Sequence, residues 1–125
     1  PDKESTDRDY NAAVKYCIDN VNEMAVIVAS HNEESNLYTT RLLDEKGLAH
    51  DHPHVHFFQL YGMSDNITFN LAKAGYSVSK YLPFGPIREV IPYLMRRAQE
   101  NTSVSGQTGR ELILVNKELQ RRKAS

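Results

Sequence analysis

Tyr76-Ser77-Val78-Ser79-Lys80-Tyr81-Leu82, Pro83-Phe84-Gly85 and the run from Pro86 through Ile91-Pro92-Tyr93-Leu94-Met95-Arg96-Arg97-Ala98-Gln99-Glu100-Asn101 read, in that order, as a strand, a turn and a helix. Proline suits the first helical position, where its missing amide has no partner to lose. On a helix beginning near Pro86, Tyr93, Arg96, Arg97 and Glu100 stand at i, i+3, i+4 and i+7, so they share one face. Ile87, Ile91, Leu94, Met95 and Ala98 fall on another side, where the pattern predicts packing onto a core. Adjacent guanidiniums repel each other. Setting two of them beside a Tyr and a Glu suits a site that grips a carboxylate or phosphate in fixed geometry. The alternative is a solvated basic turn near a helix end, where Arg complements the helix dipole.

The same strand-then-helix order repeats upstream. Met24 to Ala29 is a continuous apolar run with two valines and an isoleucine, the pattern of a strand buried on both faces. Glu33 to Lys46 carries helical spacing through Leu37, Thr40 and Leu43, and Gly47 is placed to end it. Val55 to Tyr61 is a second strand, entered through Pro53. Asn66 to Lys73 is a second helix, with Asp65 as its N-cap and Gly75 as its stop. A leading helix is predicted over Asp9 to Asn20, with Ala12, Ala13, Tyr16 and Cys17 at helical spacing. Thr102 to Gly109 reads as a loop, and Glu111 to Lys123 as a charged terminal helix or tail.

Three βα units in succession predict an α/β fold with a parallel sheet. A complete eight-unit barrel needs about 250 residues, and this chain has 125. The expectation is therefore the C-terminal portion of a (βα)8 TIM-like barrel, or else a small open sheet. A barrel collects its chemistry just after each strand. Ser30-His31-Asn32, Gln59 to Gly62 and Tyr81 to Gly85 are the polar groups at those places. Ser30, His31 and Asn32 offer donors to a phosphate, a ribose or a flavin edge, while Ser30 or Asn32 could equally cap the following helix.

Composition narrows the rest. Fifteen Lys and Arg against sixteen Asp and Glu leave a formal charge of -1, which argues against a nucleic-acid surface. The single cysteine, Cys17, reads as a packing residue. No apolar run approaches the roughly 18 residues of a membrane span. His50, His52, His54 and His56 alternate along one stretch, yet four ligands on one straight strand cannot surround a metal tetrahedrally, so loop histidines are expected and no metal. GxxxxGK[ST], GxGxxG, CxxC and HExxH are all missing. The opening Pro1-Asp2-Lys3, without methionine, suggests that a longer protein lies upstream.

With Ser30-His31-Asn32, the segment Phe57-Phe58-Gln59-Leu60-Tyr61-Gly62-Met63-Ser64-Asp65 and the run from Lys80 to Asn101 in hand, the chain resembles the C-terminal part of proline dehydrogenase. The Tyr-x-Pro-[Tyr/Phe]-Gly and Tyr-Leu-x-Arg-Arg-Ala-x-Glu-Asn patterns carry the likeness, which extends from about Pro1 to Lys123. It implies a distorted βα barrel that binds FAD and oxidises L-proline to 1-pyrroline-5-carboxylate. It further implies that Arg96 and Arg97 pair with the proline carboxylate, that Tyr93 and Tyr81 wall the ring, and that Glu100 holds the arginines. Ser30 and His31, with Asn32 beside them, would contact FAD. Tyr81 favours proline over hydroxyproline, whose oxidising relatives tend to carry a smaller Ser there. Motifs that the family places on earlier strands are absent, so the 125-residue chain is expected to be inactive by itself. A quinone or other electron acceptor, peripheral membrane association of the parent and self-association of the chain complete what the likeness implies. It points to the monofunctional form, cytoplasmic or at the inner membrane in bacteria and mitochondrial in eukaryotes. A non-catalytic, self-associating α/β fragment is the reading from another class.

Overall fold

A computed structural model of the chain describes residues 2–103 and 107–123, with side chains described outside 100–111. It divides into two compact units, Pro1–Tyr81 and Leu82–Ser125. The first opens on α1 (Lys3–Asp19), which starts six residues before the periodicity predicts. Its polar first turns carry no apolar spacing, but Asp2 caps them: its carboxylate accepts the Ser5 amide at 2.7 Å. Val14 and Ile18 then turn inward.

Strands β1 (Val26–Ala29), β2 (Val55–Leu60) and β3 (Val78–Tyr81) alternate with α2 (Glu33–Glu45) and α3 (Asp65–Lys73). They form one parallel sheet in the order β1-β2-β3. Val26, Val28, Val55 and Phe57 point to one face and meet Val14 and Ile18 of α1, Leu42 and Leu43 of α2, and Ile67 and Leu71 of α3. Cys17 packs against this core, as its sequence context predicts.

The expectation that Met24 to Ala29 is buried on both faces is corrected. Val26 and Val28 are buried, but Ile27 between them is 60% exposed, because α1, α2 and α3 all pack on the other side of the sheet. The register puts Ala29, Phe58 and Ser79 in one row across the three strands and Leu60 beside Tyr81. That second face carries exposed Ile27, Ala29, Ser79 and Tyr81 and half-buried Phe58.

The alternating histidines lie mostly in the loop that leads into β2, as expected. Residues 50–51 and 53–54 turn before β2 begins, and only His56 is in the sheet. His54 Nδ1 lies 2.7 Å from the Val21 carbonyl and His56 Nε2 3.0 Å from that of Pro53. His50 stacks on Tyr76 with ring centroids 4.2 Å apart.

The second unit holds α4 (Ile87–Ser103) and α5 (Gln107–Lys123). The Pro86 carbonyl accepts from Glu89 and Val90, so Pro86 stands just before the helix. Ile87, Ile91 and Met95, expected to pack onto a core, are 79%, 48% and 58% exposed. Where a loop was expected over Thr102 to Gly109, helix continues on both sides of residues 104–106, which lie outside the described ones. On α5, Glu118 accepts from Arg121 through both of its oxygens at 2.7 Å and from Arg122 at 2.9 Å. Those bonds hold its carboxyl down at about 2.

Candidate functional site at the carboxyl ends of the strands

Where β1 ends, the chain must leave the sheet and enter α2 within three residues, and Ser30-His31-Asn32 makes that turn. Asn32 is the N-cap of α2, its side-chain oxygen accepting the amides of Glu34 at 3.0 Å and Ser35 at 3.4 Å. The Ser30 hydroxyl oxygen in turn accepts the Asn32 amide at 3.1 Å. Of the two sequence readings for this tripeptide, capping is what the Asn32 side chain does here.

Beneath the turn lies a buried polar network. The Asn36 amide donates to the carbonyls of Ser30 at 3.0 Å and Asn32 at 2.7 Å. Gln59, 1% exposed on β2, donates to the Ser30 carbonyl and to Asn36 Oδ1, both at 3.4 Å. The Thr68 hydroxyl on α3 closes it, donating to Gln59 Oε1 at 3.0 Å. A buried polar group left without such partners costs about 1–3 kcal/mol, so the Ser30 peptide is held by two side chains at once.

The His31 imidazole ties together the ends of the first two strands. Amides of Phe57 and Tyr61 donate toward β3, which turns the Leu60 amide toward β1. β1 has already ended, and His31 Nε2 accepts that amide at 3.4 Å. An amide only donates, so Nε2 carries the lone pair and Nδ1 the proton, which goes to the Ser64 hydroxyl oxygen at 2.8 Å.

Ser64 stands in the β2-to-α3 turn, 4% exposed, with φ 53° and ψ 42°. That left-handed conformation costs a residue with a Cβ roughly 1–2 kcal/mol. The sequence marked Asp65 as the N-cap of α3; instead Ser64 occupies the capping position without making a capping bond, and Asp65 begins the helix. Asp65 pairs with Lys80 of β3 at 2.7 Å, and Lys80 also donates to the Met63 carbonyl at 2.5 Å. All three strand ends are thus tied to one turn.

Tyr81 closes β3, 48% exposed. In the other unit, the Arg97 guanidinium carbon lies 5.2 Å from the centre of the Tyr93 ring, one helical turn earlier on α4. Both are half-buried, whereas Arg96 points outward. The spacing brought Tyr93 and Arg97 together as predicted; the Glu100 side chain lies outside the described residues.

Sequence reasoning missed Asn36, Ser64, Thr68 and Lys80. Asn36 and Thr68 had a local signal, since each is a polar residue within the stripe that its helix turns to the core. Ser64 and Lys80 had none, because their partners lie 33 and 17 residues away. Among the described residues no group of three or more His, Cys, Asp or Glu is placed to hold a metal ion. Among the described residues no helix is long and apolar enough to cross a membrane.

Comparison with known proteins agrees with this architecture. A family model described as proline dehydrogenase matches residues 1–110. Proline dehydrogenase 1, mitochondrial, of Homo sapiens is 44% identical over 98% of the chain and 21% of that protein. Hydroxyproline dehydrogenase of Rattus norvegicus is 45% identical over 98% of the chain and 27% of that protein. The crystal structure of proline utilization A from Bdellovibrio bacteriovorus, inactivated by N-propargylglycine, superposes with a TM-score of 0.74. Its identity is 28%, over 83% of this chain and 11% of that one. The expected portion of a TIM-like barrel is therefore borne out. The chain spans about a fifth to a quarter of the length of these relatives, and it belongs to the proline dehydrogenase family.

Proposed function

We propose that this chain is the carboxylate-gripping and flavin-contacting segment of an FAD-dependent enzyme that oxidises L-proline to 1-pyrroline-5-carboxylate. The observation that carries the reading is the Arg97 guanidinium set over Tyr93 beside Arg96, on a helix whose sequence matches the family. A guanidinium braced on an aromatic ring keeps its fork of donors ordered for a planar carboxylate. Arg96 and Arg97 pair with the substrate carboxylate, Tyr93 and Tyr81 wall its ring, and Glu100 holds the arginines. None of these groups is a general acid or base. Their contribution is orientation, which holds carbon 5 of the ring where its hydride can leave.

The donor set at the end of β1 fits a flavin dinucleotide. The half-buried Ser30 hydroxyl forms a polar rim, to which His31 adds the face and edge of a ring whose nitrogens are engaged by Leu60 and Ser64, next to a sheet face that shows Ile27 and Phe58. A polar rim beside an apolar floor matches a polyol and phosphates attached to an aromatic ring system. Ser30 and His31 hold FAD there, with the Asn32 side chain committed to capping α2. FAD bound there would supply the acceptor for the hydride that leaves carbon 5. The ring nitrogen would lose its proton to solvent as the carbon–nitrogen double bond forms, and a quinone or other acceptor would take up the two electrons. The relatives named mitochondrial support that compartment in a eukaryotic source; in a bacterium the cytoplasm or the inner-membrane periphery is the counterpart.

Hydroxyproline is the second substrate reading, favoured by the 45% identity to the rat hydroxyproline dehydrogenase. Tyr81 weighs against it, since a phenol ring at that place crowds a 4-hydroxyl group. The exposed sheet face also favours self-association of the chain as it stands.

The test is proline-dependent reduction of a dye acceptor with added FAD. It compares this chain with a polypeptide that carries the same residues within the full length of the relatives. Activity in the longer polypeptide alone, abolished by Arg97→Met and transferred toward hydroxyproline by Tyr81→Ser, supports the reading. No activity in either, with both folded and a concentration-dependent mass for the chain, leaves the self-associating fragment in its place.

A further inference from the structure

We infer that Ser64 is a positioning residue for the flavin, acting through His31: its buried hydroxyl fixes the imidazole as the Nδ1–H tautomer and so sets the ring and the Ser30–His31 turn that meet the cofactor. The inference rests on the flavin reading above. Three observations converge on it. Ser64 keeps a left-handed backbone that glycine or asparagine adopts more easily. It stands where a serine ordinarily caps a helix, yet its side chain makes no capping bond to α3. Its oxygen lies 2.8 Å from His31 Nδ1, 33 residues away in the chain.

The other side of the ring explains why this bond matters. The Leu60 amide donates to Nε2, so a proton on that nitrogen would face another donor. Holding the proton on Nδ1 requires an acceptor there, and the Ser64 oxygen is placed to be one. Lys80 keeps the hydroxyl in position, because its bonds to the Met63 carbonyl and Asp65 pin the residues on either side of Ser64. The tie therefore runs from β3 through the turn to His31, with the Ser30 carbonyl fixed independently by Asn36 and Gln59.

Ser64→Ala removes the hydroxyl and leaves the strained backbone; Ser64→Gly removes the hydroxyl and relieves the strain. Side-chain nitrogen NMR on the 125-residue chain should show His31 with Nδ1 protonated and Nε2 bare, and both variants should lose that pattern. In a polypeptide of the relatives' full length, FAD affinity should fall about tenfold in both, the equivalent of one hydrogen bond. Ser64→Gly should do so with a melting temperature at or above that of the parent. A weaker FAD affinity in a more stable protein is something a merely structural role does not produce. The proposal is overturned if His31 carries its proton on Nε2 in the parent, or if neither variant changes the tautomer. It is also overturned if only Ser64→Ala weakens FAD binding, in step with lost stability. If the parent polypeptide binds no FAD while the NMR pattern holds, the flavin reading fails and takes the cofactor role of Ser64 with it; the tautomer lock then stands as measured.

Discussion

The Pro1–Tyr81 unit and the Leu82–Ser125 unit hold their candidate site residues in different ways. In the first, a closed core anchors the strands, and long-range bonds from Asn36, Gln59, Ser64 and Lys80 cross-tie the strand ends. In the second, order around Arg97 comes from the helix itself, through the i, i+4 relation to Tyr93, while Ile87, Ile91 and Met95 remain exposed. One region fixes its chemistry by buried complementarity and the other by local periodicity. Truncating a buried, well-packed group should therefore cost stability and function together in the first unit and separately in the second, the strained backbone of Ser64 being the exception within the first.

The largest expected contrast is between two apolar truncations. Phe57 is 0% exposed at the centre of the core, so Phe57→Ala should cost about 3–5 kcal/mol. Met95 is 58% exposed, and Met95→Ala should stay within about 0.5 kcal/mol. Urea unfolding followed by circular dichroism measures both. Equal losses would show that the exposed stripe of α4 matters to folding as much as the core does.

A smaller contrast separates the two sets of polar groups. Gln59→Leu keeps the volume but takes a donor from the Ser30 carbonyl and an acceptor from Thr68, so it should cost about 1–3 kcal/mol. Arg97→Met loses a cation–π contact on a half-buried site, worth about 0.5–1 kcal/mol. It should nevertheless abolish proline oxidation in a full-length polypeptide. If Arg97→Met destabilises the chain more than Gln59→Leu does, the distinction between the two units is wrong.

The same distinction governs what the sequence disclosed. The strands were legible because their apolar, β-branched runs stand between turn residues, and the α4 stripe was legible because a helix repeats itself locally. What periodicity could not supply was the side of β1 left open at Ile27, because burial depends on which faces the helices choose to cover. The start of α1 was hidden for a related reason: its first turns are held by the Asp2 cap and carry no apolar stripe. At the site, Ser30, His31 and Asn32 could be named but their division of labour could not. Asn32 caps, Ser30 is clamped from below and His31 bridges to Leu60 and Ser64, all through partners that only folding brings near.

The mildest way to sharpen the comparison is by pH, because each unit carries a titrating group shifted in the opposite sense. His50 Nδ1 lies 2.8 Å from the Ala74 carbonyl and Nε2 3.2 Å from Asp44 Oδ1. Both partners accept, so this geometry favours the protonated ring, which donates from both nitrogens and stacks on Tyr76. The Ala74 carbonyl, with Asp44 and then Asp51 behind it, holds the His50 pKa above its usual value against a smaller opposing effect of burial. A raised folded pKa stabilises fully below the unfolded value of about 6.5 and is lost as pH rises through the folded one. The Glu118 carboxyl, depressed to about 2 by Arg121 and Arg122, stabilises above its ordinary range and is lost only as pH falls toward that value. Mild alkali should therefore loosen the α2 and α3 ends of the first unit and leave α5 unchanged, and strong acid should loosen α5 through Glu118. Residue-resolved amide exchange against pH reads each separately. His50→Gln should flatten the alkaline limb at residues near Asp44 and Ala74 without altering the acid limb of α5; an unchanged alkaline limb would show that the imidazolium contributes nothing to that unit.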